Sequence, residues 1–421
     1  MLKRTLWVAI LLTMMATVIT GCSSDDNDAP DTTDPVELTL TRGEQELVNL
    51  SNVFAFDLFR VIQDGVNSQI LSPLSVTYAL GMLNNGAAGE TQEQINKVLG
   101  FGNYGADSIN AFCIKMMRIA PLLDPKTKVM IANNIYLNKG YELKSDFVQK
   151  AKTFYDATPE TRDFADGKTE DVINQWASDH TEKMIQKLFD KGQFNPFAVS
   201  YLLNAIYFKG LWTNKFDKAE TKQEVFEHAG GTEELTYCMM MHQTDKFDYT
   251  ETADCQVLRL PYGNGSFAMT IFLPKVQSND VSTNDVPKVP TAEEWQRVNQ
   301  TIYPAKVDVK LPRFETNTDI GLNSVMAALG MPNAFNPEKA DFTNFCNKPT
   351  YITMMKQVAK IKLDEEGTEA AAVTVIEVNT TSMPEPSQTI EFHANRPFLY
   401  VISERQSGAV FFIGKYVGEH R

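Results

Sequence analysis

Histidine is scarce in this chain. The five are His180, His228, His242, His393 and His420, and none stands in a His-Glu-x-x-His or another short metal-binding spacing. No Gly-x-Ser-x-Gly elbow, Walker loop or dinucleotide glycine fingerprint occurs. The sequence therefore shows none of the common catalytic constellations, and neither a metal nor a cofactor is expected. The acidic pair Glu365-Glu366, beside a glycine in a polar stretch, reads as a solvated turn rather than an acid/base pair. Cysteine is equally sparse: Cys22, Cys113, Cys238, Cys255 and Cys346 are irregularly spaced, without a Cys-x-x-Cys pair, which removes the signature of zinc ribbons and thioredoxin-like redox centres. Cys113, Cys238 and Cys346 each follow an aromatic residue, and the last four cysteines read as buried small hydrophobes rather than a disulfide framework. Positive charge is also short, with 39 Lys and Arg against 53 Asp and Glu and a formal net charge of −14. An acidic surface repels nucleic acid and anionic lipid, so bulk nucleic-acid binding is not expected.

What is present is an ordinary globular balance, 43% hydrophobic and 22% charged over 421 residues, long enough for one large domain or two. The first residues read as an address. Lys3 and Arg4 precede a mostly apolar run, Leu6 to Ile19, which falls short of the roughly 20 residues a membrane-spanning helix needs and has the layout of a signal peptide. Ile19-Thr20-Gly21-Cys22 resembles the lipobox of bacterial lipoproteins. That resemblance implies removal of residues 1–21, a lipid on Cys22, and an outer-membrane lipoprotein facing the periplasm or the cell surface; a plain secretory signal with an incidental cysteine is the alternative. Residues 22–43 carry Asp25, Asp26, Asp28, Asp31 and Asp34 with Pro30 and Pro35, the composition of a disordered acidic tether. The Ser-Ser-Asp-Asp start resembles an acidic surface-export signal, and a solvated spacer explains it equally well.

No later linker is long enough to split residues 44–421. Apolar spacing predicts helices over Leu50–Ile62, over Ser75–Asn84 with Ser72 or Pro73 near its start, and over Thr91–Leu99, where Thr91 and Gln94 form a capping-box pattern. Val129–Leu137 and Leu202–Phe208 are apolar on both faces, as in central strands of a covered sheet. Phe267–Leu273, Val307–Leu311, Ala359–Leu363, Phe398–Ile402 and Val410–Ile413 are further strands, the last two joined by a turn at Gln406-Ser407-Gly408.

The most informative stretch runs from Glu365 to Val378: Glu-Glu-Gly-Thr-Glu-Ala-Ala-Ala-Val-Thr-Val-Ile-Glu-Val. With a period of two, Thr368, Ala370, Ala372, Thr374, Ile376, Val378 and Thr380 share one face and are uncharged. Glu369 and Glu377 fall on the other. Such a strand buries one side while the other meets solvent. Gly367 offers a permissive hinge, and the alanine run commits to neither helix nor strand on its own. A polar loop with Pro384 and Pro386 follows.

This stretch resembles the hinge and reactive-centre loop of inhibitory serpins, with hinge residues Glu366, Gly367, Thr368, Glu369, Ala370, Ala371 and Ala372. The resemblance continues in order along the chain: Ser72-Pro73-Leu74-Ser75, with the family's preceding asparagine one place early at Asn67; Gly86 to Thr91; Asn174-Gln175-Trp176; Asn204 to Trp212; Leu260-Pro261-Tyr262; Leu311 to Phe314; Leu329-Gly330-Met331; and Arg396-Pro397-Phe398. It implies an α+β serpin fold with a large sheet A, sheets B and C, about nine helices and an exposed reactive loop. The implied protein is not an enzyme but a monomeric suicide-substrate inhibitor of serine endopeptidases, with cysteine endopeptidases as a further class, forming a covalent complex. A non-inhibitory serpin acting as a binding protein is the alternative. By family counting the reactive bond lies between Thr381 and Ser382, with the bonds after Val378 and Thr380 as rivals. Ser72, Ser75 and Asn204 match the polar shutter beneath sheet A, Gln357 stands where many serpins have a histidine, and Trp212 matches the breach where insertion begins. Ordinary helix capping is a second reading of Ser72 and Ser75.

Overall fold

The computed structural model describes residues 37–64, 66–227, 236–275, 287–368 and 389–418. The helices open the chain as the apolar spacing predicts: α1 (Arg42–Ile62), α2 (Pro73–Asn84), α3 (Gly89–Val98) and α4 (Ala106–Leu123). Helix α1 starts on a reciprocal capping box, the Glu44 N–H donating to the Thr41 hydroxyl at 3.2 Å and the Thr41 N–H to the Glu44 carboxylate at 2.7 Å. Helix α2 starts on Ser72, whose hydroxyl accepts the Ser75 N–H at 3.3 Å, with Pro73 in the first turn where its missing N–H costs nothing. Thr91 does not cap. Helix α3 begins two residues earlier, after Ala88, and the buried Thr91 hydroxyl accepts the Asp341 N–H at 2.9 Å. A distant backbone group took the oxygen that a local cap would have used.

The folded part also begins before Glu44. Leu38 is buried and its N–H donates to the Gln406 side chain at 2.7 Å. Residues 37–43, grouped with the tether on composition, thus belong to the domain. The leader and Cys22 lie outside the described residues.

Helices α5 (Ser145–Tyr155), α6 (Lys168–His180), α7 (Ala292–Thr301) and α8 (Asn323–Leu329) bring the described α-helices to eight. They surround two sheets. The first has the order β10 (Phe314–Gly321), β11 (Met354–Asp364), β12 (Gly367–Thr368), β4 (Ser200–Leu211), β2 (Thr127–Asn138), β3 (Glu160–Arg162). The second has the order β1 (Gln69–Leu71), β15 (Val410–Tyr416), β14 (Phe398–Glu404), β8 (Phe267–Pro274), β7 (Cys255–Tyr262), β6 (Thr236–Glu251), β9 (Tyr303–Pro312), β13 (Ile390–His393), with β5 (Lys222–Phe226) also on β6. The long strand β6 pairs with β5, β7 and β9, so the expected sheets B and C are joined through it in one ladder.

Strand β4 is apolar on both faces because each face has its own cover. Leu202, Ile206 and Phe208 lie in the main core, whereas Tyr201, Leu203 and Ala205 lie in a second cluster with Ile173 and Ala177 of α6. Cys113, Cys255 and Cys346 are buried free thiols, while Cys238 is only half-buried. Burial pushes the Cys113 thiol up to about 12 and that of Cys255 to about 11, away from thiolate reactivity. The described chain is expected to need its first residues. A chain beginning at Glu44 should be about 3 kcal/mol less stable than one beginning at Glu37, from lost Leu38 burial and the lost Thr41 cap. Coincident urea midpoints for the two chains would show otherwise.

Candidate functional site

The centre of the six-stranded sheet is a seam between two parallel strands. β11 and β4 pair directly from Met354 opposite Tyr201 to Lys360 opposite Tyr207. Beyond that point they part, and the chain turns back between them. Thr368 pairs with Leu363 on one side and Gly210 on the other; Gly367 pairs with Asp364 and Leu211. Gly367 has φ +149°, and a Cβ there would lie 2.1 Å from the Gly210 carbonyl oxygen. Glycine is required here by both the dihedral and the space. Thr368 is fully buried, its hydroxyl 2.8 Å from that of Tyr262.

The turn before this short strand is Glu365-Glu366, and the structure corrects its reading as a solvated pair. Glu365 is buried. Its carboxylate accepts from the Arg313 Nε at 2.7 and 2.8 Å and from the Thr221 hydroxyl. Burial acts to raise its pKa, but the hydrogen bonds from Arg313 and Thr221 outweigh it and hold the carboxyl below the ordinary glutamate value. Glu366 accepts from Lys215 at 2.7 Å and Lys218 at 2.9 Å, and these two hydrogen bonds hold it low as well. Trp212 closes the cluster. Its N–H donates to the Glu366 carbonyl at 2.8 Å, its indole N–H to the Asp364 carbonyl at 3.0 Å, and its ring stacks on Tyr262 with centroids 4.5 Å apart.

Lower in the sheet, beneath the closed seam, a second polar group is buried. The Ser72 N–H donates to the Gln357 side-chain oxygen at 3.0 Å, and the Gln357 amide donates back to the Ser72 carbonyl at 3.1 Å. Gln357 also donates to Asn204, and Asn204 to Ser75 and Asn133. All of these side chains are buried. Gln357 and Asn204 face each other across the seam, so the network ties both seam strands to the start of α2. Ser72 serves as cap and network member together.

The structure therefore brings Glu366, Gly367, Thr368 and Trp212 together at one end of the seam, and Ser72, Ser75, Asn204 and Gln357 midway along it. Glu369, Ala370, Ala371, Ala372, Thr381, Ser382 and Cys22 lie outside the described residues. Sequence reasoning gave no role to Arg313, Thr221, Lys215, Lys218 or Tyr262. Arg313 and Tyr262 stand in quoted motifs, but the buried carboxylate that Arg313 serves comes from a distant part of the chain.

A sheet whose central parallel seam is already entered at one end by a returning strand defines a strand-inserting α+β fold. The family model described as serpin (serine protease inhibitor) matches residues 49–418, and the chain belongs to the serpin family. It is 32% identical to human serpin B11 over 383 residues, covering 86% of this chain and 96% of that protein. It is 31% identical to a horse protein named leukocyte elastase inhibitor, covering 88% and 99%. Its fold is similar to the native-state crystal structure of the thermophilic serpin tengpin, with a TM-score of 0.80, 26% identity, and 92% and 97% of the two chains covered. It is also similar to human thyroxine-binding globulin, with a TM-score of 0.79, 23% identity, and 90% and 100% covered. The last likeness, at that identity, concerns the fold alone.

The ion cluster predicts an asymmetry. Glu365 is 2% exposed at its side chain and Arg313 is 40% exposed. Arg313→Ala strands a buried carboxylate and should cost roughly 3 kcal/mol, whereas Glu365→Gln leaves a guanidinium that water can serve and should cost about 1. Equal losses in urea unfolding of the two variants would count against this account of the cluster.

Proposed function

We propose that this chain inhibits serine endopeptidases as a suicide substrate, with cysteine endopeptidases as a further class. The observation that carries the reading is β12: two residues of the hinge already sit as a strand between β4 and β11. Continuing its register would set Ala370 opposite Phe208 and Ile361, Thr374 opposite Asn204 and Gln357, and Glu377 opposite Tyr201 and Met354. Asn204 and Gln357 already face each other, as do Tyr201 and Met354. Opening the seam thus needs a lateral shift of one strand spacing, about 4.8 Å, and no slide.

Side-chain chemistry supports the same register. Thr368, Ala370, Ala372, Thr374, Ile376 and Val378 would share the face of Gly210, Phe208, Ile206, Asn204 and Leu202, toward the main core. Thr374, a polar residue, would meet the polar Asn204–Gln357 pair. The other face would not simply meet solvent, as the alternation alone implied. Val373 and Val375 would fall beside Ala205 and Leu203 under the second cluster, which α6 covers, while Glu369 would fall between Lys209 and Lys362.

The target's nucleophile attacks the carbonyl of Thr381, the amine of Ser382 leaves, and an acyl-enzyme forms. The freed N-terminal part of the loop then inserts from Trp212 downward; strand addition by serpin loop insertion and its release of strain are general behaviours of the fold. Added main-chain hydrogen bonds and burial of Ile376 and Val378, at about 25 cal/mol per Å² of apolar area, drive it. The protease is carried along before water deacylates it. Residues 367–387 hold no Lys or Arg, which fits elastase-like or subtilisin-like pockets rather than trypsin-like ones. A relative named leukocyte elastase inhibitor supports this reading.

Incubation with elastase-like, subtilisin-like and papain-like proteases is expected to give an SDS-stable complex and a released peptide beginning at Ser382. Thr368→Arg would bury an unpaired charge at a cost of several kcal/mol, roughly 3–5, slow insertion, and yield cleaved inhibitor instead of complex. Clean cleavage of the unaltered chain without a complex would instead identify a non-inhibitory binding protein, and full trapping by Thr368→Arg would refute the insertion register.

We also propose that Cys22 carries a lipid that tethers a monomer to a bacterial outer membrane, on its periplasmic or outer side. The apolar leader ending in Ile19-Thr20-Gly21-Cys22 supports it. Metabolic labelling with a fatty acid should mark the unaltered chain and not Cys22→Ser; equal labelling, or none of either, removes the anchor.

A further inference from the structure

Phe197 is the most exposed large apolar side chain among the described residues, at 90%. Its mounting is not loose. The Phe197 N–H donates to the Asn195 side chain at 2.9 Å, and the Ala198 N–H to the Asn195 carbonyl at 3.2 Å. The Asn138 amide donates to the carbonyls of Pro196 at 3.2 Å and Ala198 at 2.8 Å. On either side Phe194 and Ala198 pack into the second cluster. The turn is fixed by its own backbone and its neighbours, yet the Phe197 ring is turned out to water, where it contributes nothing to the core.

The position of this turn gives the ring a use. Strand β4 begins at Ser200 and the closed seam ends at Tyr201 and Met354. If the hinge register continues, Val378 takes the last rung, opposite Ser200, and Thr381 lies three residues past it, about 10 Å beyond the end of the sheet. Phe197 precedes Ser200 by the same three residues. We propose that Phe197 is a docking contact for the acylated endopeptidase once the cleaved loop has inserted. The inference rests on the trapping mechanism above. The occupant is the protease itself, because a body ester-linked to Thr381 is delivered to this end of the seam. A protease that selects small apolar residues has an apolar substrate cleft, and an aromatic side chain on a rigid turn is the kind of group that anchors such a surface at low entropic cost.

The test uses the full chain with an elastase-type serine endopeptidase as probe, comparing Phe197→Ala and Leu122→Ala. Leu122 is 67% exposed and lies near the start of β2, whose Thr127 pairs with Gly210 at the other end of the sheet. Native stability and the heat resistance of the cleaved form should be unchanged in both. Isolated complex of Phe197→Ala should release active protease roughly tenfold faster than the unaltered complex, the change expected on removing one anchoring aromatic, while Leu122→Ala should not differ. Equal release rates for Phe197→Ala and the unaltered chain overturn the proposal while leaving trapping intact. Lost heat resistance in cleaved Phe197→Ala also overturns it, by assigning Phe197 to insertion. Absence of any complex from the unaltered chain removes the trapping mechanism, and this contact with it.

Discussion

The parallel pairing of β4 with β11 is the constraint on which the rest of the molecule turns. A parallel pair inside a sheet invites a strand between its members, because a chain returning from the end of β11 runs antiparallel to both. Insertion would replace one parallel ladder by two antiparallel ones. The fold is held short of that arrangement with β12 already in place, and the register from Met354–Tyr201 to Lys360–Tyr207 is the register that a longer β12 would need.

Two polar clusters set the terms of opening. Midway, Gln357 and Asn204 reach across the seam and tie it to Ser72 and Ser75 at the start of α2. Parting the strands breaks these bonds unless a new polar group arrives between them, since unpaired buried polar atoms are costly. At the end of the seam, Arg313, Thr221, Lys215 and Lys218 hold the Glu365-Glu366 turn. That turn directs the chain into the seam rather than away from it, and Gly367 is the residue that fits against the Gly210 carbonyl there. The second hydrophobic cluster adds a further restraint, because it contains Ala205 of β4 and Val358 of β11 and so spans the strands that insertion would separate.

Much of this was present in the sequence by itself. The apolar runs determined β2, β4 and β8, the spacing determined α1 and α2, and Gly367 marked the point where the chain re-enters the sheet as β12. These are local properties: periodicity, turn chemistry and residue volume act over a few neighbours. The ordered motifs determined the family as well.

The tertiary structure alone decided the partners. Thr91 gave its hydroxyl to Asp341 rather than to its own helix, and residues 37–43 joined the domain because Gln406 and the core received Leu38. Glu365 became a buried anion because Arg313, far away in sequence, lies beside it. The second face of β4 gained an apolar cover because α6 folds over it. Burial and charge pairing are decided by groups distant along the chain, and no local pattern carries the identity of those groups.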